Sequence, residues 1–269
     1  DETINQTSSF GSSIPDLISS SGAIPGIKVD TGAKKLANSE EENITEGLDG
    51  LRDRLKKYYK LGARFTKWRG VYKISKIYPS KLAIHTNAHA LARYAALVQE
   101  NKMVPIIEPE LLMDGDHSAD FCFNRTSEVL KKCFEELIIH KIDLTGIILK
   151  PNMILPGNKS KNSISFEEIS KKTIECLKNS VPQEVPGIAF LSGGQSEIEA
   201  TANLNMINKN NNTNFIMTYS YGRALQQSAL KIWSKNTQDK DLTQKTFNHR
   251  ARMCSLAAQG KWSNELENK

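Results

Sequence analysis

The sequence predicts an α/β fold whose parallel strands close into a (β/α)8 barrel, and three observations carry that expectation. Six short apolar, β-branched runs alternate with longer stretches of helical periodicity, the pattern of right-handed βαβ units around a parallel sheet. One polar or charged residue near the carboxyl end of each run (Lys28, Lys67, Glu108, Lys150, Ser192, Ser220) recurs at intervals of 39, 41, 42, 42 and 28 residues. That regularity favours a barrel over a doubly wound sheet. Neither GxGxxG after the first run nor a GxxxxGK(S/T) motif is present, so nucleotide-binding α/β folds lose their usual support.

Taken in order, residues 1–25 are Ser-rich and broken by Gly11 and Pro15, and offer no strand. The runs that follow are GIKVD (26–30), ARFTKWRGV (63–71), MVPIIEPELL (103–112), GIILKPNM (146–153), GIAFLSGG (187–194) and FIMTYSYG (215–222). Each reads as a buried strand bounded by turn residues. Between them, residues 46–62, 87–102, 127–141, 165–181 and 196–209 place apolar side chains three and four apart, one stripe per helix. After Tyr221 the chain reads as helix, through 224–235 and 242–260. Six runs are two fewer than a closed barrel requires. The chain is therefore read as one domain, 1–269, carrying strands three to eight, with the first two expected upstream of Asp1.

Composition narrows the class of function. The formal charge of +6 points to an anionic partner: nucleic acid, phospholipid or a small phosphorylated substrate. Basic residues are dispersed over the helices and form no stripe interleaved with aromatics, which argues against nucleic acid. No segment approaches eighteen uninterrupted apolar residues, so no membrane span is expected. The first residues lack the basic and apolar regions of a secretory leader. Cys122, Cys133, Cys176 and Cys254 have no CxxC spacing, which suits reduced thiols in the cytoplasm. His85 and His89 form an i, i+4 pair able to share a metal, but no acidic third ligand stands beside them in sequence. No metal and no cofactor are expected.

Lys150 is the most informative single residue. It ends a run that reads as buried, and burial favours the neutral, nucleophilic amine; a lysine snorkelling to the rim is the alternative. Lys67 and Arg69 share one side of their strand while Trp68 takes the other. Glu108 and Glu110 likewise share a face, placed either for proton transfer or for a structural layer of ion pairs. Ser192-Gly193-Gly194, just before a helix, and Ser220-Tyr221-Gly222-Arg223 offer backbone N–H groups and a guanidinium to an anion. In barrels the loops after the last two strands are the usual phosphate site.

At these residues the sequence resembles class I, Schiff-base fructose-1,6-bisphosphate aldolase of the eukaryotic type. The matching blocks are GIKVDTG, TEGLDGL, GARFTKWR, LARYAALVQEN, VPIIEPELLMDGDH, IILKPNMILPG, FLSGGQSEIEATANLN and TYSYGRALQQSALKIW, in family order from about Glu2 to Trp262. The resemblance implies a TIM barrel and reversible cleavage of fructose 1,6-bisphosphate to dihydroxyacetone phosphate and glyceraldehyde 3-phosphate, in glycolysis and gluconeogenesis. It makes Lys150 the Schiff-base lysine, Glu108 the acid/base group of iminium formation, Lys67 the neighbouring catalytic lysine and Glu110 the second carboxylate of EPE. Lys28 and Arg69 resemble contacts to the distal phosphate. Ser192, Gly193, Ser220, Gly222 and Arg223 resemble the cradle for the phosphate nearer the ketone. A metal-free homotetramer is implied.

Two departures accompany the resemblance. Glu2-Thr3-Ile4 looks like the family's ETL segment after its second strand, so the strand carrying the cleavage aspartate is expected upstream, and the family's tyrosine-ended tail is not represented. On this reading the 269-residue chain by itself would show little aldol cleavage. A catalytically weakened adaptor for acidic partners such as actin is the alternative function.

Overall fold

The computed structural model describes residues 2–268. They form two compact units. The first comprises the residues up to Glu110 with Glu128–Leu149 and Glu184–Pro186; the second comprises Leu111–Ser127, Lys150–Gln183 and the chain from Gly187 onward.

The first unit opens with a 3-10 turn, Thr3–Asn5, and a short helix α1 (Ile14–Ser20), whose Ser13 cap accepts from the Asp16 N–H. Strands β1 (Gly26–Lys28), β4 (Phe65–Tyr72), β5 (Val104–Leu111) and β6 (Ile148–Leu149) lie side by side in that order. β1 pairs with β4 in parallel with Lys28 opposite Lys67, and β5 with β6 in parallel with Ile107 opposite Leu149. Along β4, Thr66 and Trp68 are buried while Lys67 and Arg69 are half-buried on the opposite face. The buried face packs on α3 (Lys81–Glu100): the Trp68 and Tyr94 rings lie 5.5 Å apart, and the Thr66 and Tyr94 hydroxyls are hydrogen-bonded at 2.7 Å. That contact fixes which side chains of β4 are left for chemistry.

In the second unit β7 (Gly187–Phe190) and β8 (Ile216–Tyr219) are parallel, Phe190 opposite Tyr219. Helices α5 (Phe166–Ser180), α6 (Glu197–Asn210), α7 (Arg223–Lys235) and α8 (Lys240–Ala258) follow in chain order around them. Leu204, Ile207, Phe190, Met217 and Cys254 are buried here.

The predicted strands and helices are all present; the helices expected over 87–102 and 127–141 begin earlier, at Lys81 and Ala119, and α1 was not foreseen. Three further differences have local causes. Residues 32–45, to which the sequence assigns no element, form with Glu46 an antiparallel pair, β2 (Gly32–Lys35) and β3 (Asn43–Glu46). Its short strands, GAKK and NITE, carry no apolar alternation; buried Thr45 anchors the pair by donating to the Arg69 carbonyl. The helix expected over 46–62 is α2 (Leu51–Lys60), because Glu46 belongs to β3 and Gly50 caps the helix at φ +65°. The run at 146–153 shortens to Ile148–Leu149: Leu144–Gly146 is a 3-10 turn, and Pro151 has no N–H to donate to a ladder. No helix among the described residues is long and apolar enough to cross a membrane.

Candidate active site

Parallel register brings the predicted charges of the first unit into pairs. Lys67 Nζ donates to Glu108 Oε2 at 2.6 Å, with the carboxylate only 4% exposed. Two residues further along both strands, Arg69 Nε donates to Glu110 Oε2. Burial works against the Arg69 charge, yet the hydrogen bond and attraction of Glu110 outweigh it and hold the guanidinium more basic than usual. Lys28, at the end of β1, pairs with Asp30 Oδ1 at 2.6 Å. Asp30 also accepts from the backbone N–H groups of Gly32 (3.1 Å) and Arg69 (3.3 Å). Its carboxylate therefore fixes the end of β1 against β4. The sequence reading missed it; the signal was its i, i+2 spacing from Lys28, which in extended chain places both on one face.

The second unit holds the other predicted residues. Lys150, directly after β6, is buried. The carbonyl of Pro151 accepts from Leu191 N (3.1 Å), and that of Phe190 from Ser220 N (2.9 Å), so the segments opening at Lys150, Ser192 and Ser220 lie in succession. Asn152 locks the first of them: it accepts from Leu111 N (3.1 Å) and donates to Thr126 Oγ1 (3.2 Å) and the Met153 carbonyl (3.1 Å). Ser192, Gly193 and Ser220 are half-buried; Gly222 and Arg223 are exposed at the start of α7. Gly194 sits at φ +77° with Met113 against it: an added Cβ would stand 2.6 Å from the Met113 side chain. Ser196 and Glu199 form a capping box: the Ser196 hydroxyl accepts from the Glu199 N–H of α6 (3.2 Å), and the Glu199 carboxylate accepts from the N–H of the cap residue Ser196 itself (2.8 Å). Glu197, also missed by the sequence reading, accepts from the Ser228 N–H (2.9 Å) and hydroxyl and so ties α7 to α6.

The His85–His89 pair of α3 faces Glu136, which belongs to α4 (Ala119–Ile139). An acid does stand beside the pair, contrary to the expectation from neighbouring sequence, because the helix that supplies it is distant along the chain. Among the described residues His89, Glu136 and His140 form the one group able to hold a metal ion.

Carboxylates paired with cations on one face of neighbouring strands β4 and β5, and glycine turns opening helices after the last two strands, are the arrangement expected of an α/β enzyme that handles a phosphorylated small molecule. The family described as glycolytic, fructose-bisphosphate aldolase class-I, matches residues 1–269. The chain belongs to this family. It is 48% identical over 268 residues to the cytosolic fructose-bisphosphate aldolase 4 of Arabidopsis thaliana, covering 99% of this chain and 68% of that one. A probable class 1 aldolase of Xanthomonas campestris is also 48% identical, covering 97% and 79%. A solved fructose-bisphosphate aldolase from Plasmodium falciparum, in complex with TRAP and a small-molecule inhibitor, superposes with a TM-score of 0.95 at 42% identity, covering 98% of this chain and 77% of that one. The fold is thus the TIM barrel of class I aldolases, and the activity is that of a carbon–carbon lyase cleaving fructose 1,6-bisphosphate. Nothing in these likenesses favours the weakened adaptor.

Proposed function

We propose that Lys150 is the lysine that forms the Schiff base, with Glu108, Lys67 and Glu110 as its catalytic partners. The observation that carries this reading is the buried position of Lys150 immediately after β6, with the next peptide bonded to the segment that opens the Ser192 turn. The unprotonated amine attacks the C2 carbonyl of the sugar bisphosphate to give a carbinolamine. Glu108 passes a proton from the attacking nitrogen to the carbinolamine oxygen, then takes up a second proton from solvent and delivers it to the departing hydroxyl; water leaves, and a protonated iminium remains. The C3–C4 bond then breaks, its electrons pass into the iminium to give an enamine, and the C4 hydroxyl loses its proton as glyceraldehyde 3-phosphate forms. Protonation at C3 and hydrolysis release dihydroxyacetone phosphate and regenerate the amine.

Lys28 and Arg69 serve the distal phosphate. Ser192, Gly193, Ser220, Gly222 and Arg223 serve the one nearer the ketone, with oriented N–H dipoles supplying charge stabilisation. The N–H groups of Ser196 and Glu199 are already bonded within the capping box of α6, so the SGG turn ahead of the helix supplies donors for this phosphate. Assembly as a homotetramer and a cytosolic location extend the reading from the family and from relatives such as the cytoplasmic isozyme of Spinacia oleracea.

Borohydride reduction in the presence of dihydroxyacetone phosphate tests the assignment. Mass spectrometry should find the reduced adduct on Lys150 and lose it in Lys150→Met; an adduct on another lysine, or its persistence in the variant, would overturn the proposal.

A further inference from the structure

Two helices present the same offset of metal-ligating residues to one another. On α3, His85 and His89 are four apart and their rings are nearly parallel, 6.3 Å between centroids. At the end of α4, Glu136 and His140 are also four apart. Glu136 Oε2 lies 3.1 Å from His89 Nδ1 and Glu136 Oε1 lies 3.5 Å from His85 Nδ1. The His89 and His140 rings meet edge to face at 5.0 Å. We propose that His89, Glu136 and His140 bind a divalent transition-metal cation of the zinc class, with His85 within reach as a fourth ligand.

The ligand atoms of the three residues all lie within 4.8 Å of one another. In a tetrahedral zinc site with bonds of about 2.0–2.2 Å, ligand atoms stand about 3.4 Å apart. The difference is small enough for rotation of His89, which is about half exposed, to close. Two features pre-organise the group. His140 Nδ1 donates to the Glu136 carbonyl at 2.8 Å, which fixes the tautomer and leaves the Nε2 lone pair for a metal. The Glu136 carboxylate is only 5% exposed, and Lys132 Nζ holds its Oε1 at 3.1 Å while Oε2 faces His89. A purely ionic cluster would account for the Glu136 contacts, but it does not require a second imidazole with its Nε2 left over. Imidazole with carboxylate suits zinc, nickel and copper, and is a poor set for magnesium or calcium.

These ligands come from α3 and the end of α4, and none from the strands that carry Lys67 and Glu108. The cation would therefore tie two helices together and take no part in the aldol chemistry.

Titration of the metal-free full chain with Zn2+ by calorimetry should show one saturable site per chain, and Co2+ should develop visible d–d absorption. Loss of two ligands in the His89→Gln/His140→Gln double variant should weaken binding on the order of 100-fold or more, since even supporting residues around metal sites contribute 10–100-fold. His249→Gln, remote in sequence from the cluster, should leave it unchanged. Zn2+ should also raise the thermal midpoint of the native chain and not of the double variant. Should that variant fail to fold, protection of His85, His89 and His140 from diethylpyrocarbonate by Zn2+, mapped on the native chain, decides the matter. No saturable site, unchanged affinity in the folded double variant, or protection of other histidines would overturn the proposal.

Discussion

Lys67 and Glu108 illustrate how one hydrogen bond constrains a residue's chemistry. The Glu108 carboxyl group is almost wholly buried and is bonded to the Lys67 amine at 2.6 Å, so a change to either side chain is felt by the other. Glu108→Gln keeps the shape and removes the transferable proton. It should slow Schiff-base formation with dihydroxyacetone phosphate on the order of 100-fold, measured as the rate of borohydride-trapped adduct, with circular dichroism unchanged. An unaltered trapping rate would remove Glu108 from the mechanism. At this scale the sequence was informative wherever a charge followed an apolar run, as at Lys67, Glu108 and Lys150. It was silent where the role depends on partners remote in sequence: Glu197 reads as an ordinary helix-start acid until Ser228 is seen bonded to it, and His89 as a surface histidine until Glu136 is.

At the scale of elements, the segments around residues 113–117 and 157–159 are joined by a ladder the sequence does not reveal. Gly157 N donates to the His117 carbonyl, Asn158 N to that of Met113 and Lys159 N to that of Gly115. The close approach requires glycine: an added Cβ at Gly157 would stand 2.3 Å from the Gly115 carbonyl oxygen, against nothing within 4 Å at Gly222. Gly157→Ala should therefore cost about 1–3 kcal/mol, as overpacking does, and Gly222→Ala no more than about 0.5 kcal/mol, both read from urea unfolding. The same ladder buries His117, whose ring nitrogens have no hydrogen-bond partner among the described residues. Burial lowers its pKa below the ordinary 6.5, against the weaker upward pull of Asp116. The unfolded chain thus binds the proton more readily than the folded one. The corresponding stability is complete above about pH 6.5 and is lost as the pH falls through the lowered folded value. The urea midpoint should consequently drop more between pH 7.5 and pH 5 in the native chain than in His117→Gln; equal drops would show that this imidazole does not set the dependence. Helices and strands were legible because periodicity marks them. This ladder and the β2–β3 pair were not, because polar, glycine-bearing segments carry no apolar stripe and are fixed by contacts with residues elsewhere in the chain.

For the whole chain, the cysteines provide a probe of opening that spans residues 122–254. All four are buried as free thiols. Burial pushes the Cys122 thiol up to about 11, against weaker downward pulls from hydrogen bonds involving Leu155 and Thr126, and the Cys133 thiol up to about 12 beside Tyr72. Thiolate is the reactive form, so at pH 8 neither should be alkylated in the folded state, and labelling must wait for an opening that admits water. Cys122 and Cys133 lie on one helix, α4. Cys122 borders Thr126, whose hydroxyl is bonded to Asn152 next to the proposed catalytic lysine, whereas Cys133 lies three helical turns further on. If α4 melts as one cooperative unit, the two should label with iodoacetamide at the same rate, and that rate should rise with urea along the same slope as loss of helical circular dichroism. Faster labelling of Cys122 would mean that the segment holding Lys150 opens on its own. The anchoring by Asn152 would then be too weak to hold the lysine in place between turnovers, and the Asn152→Ala variant would leave the Cys122 rate unchanged instead of raising it.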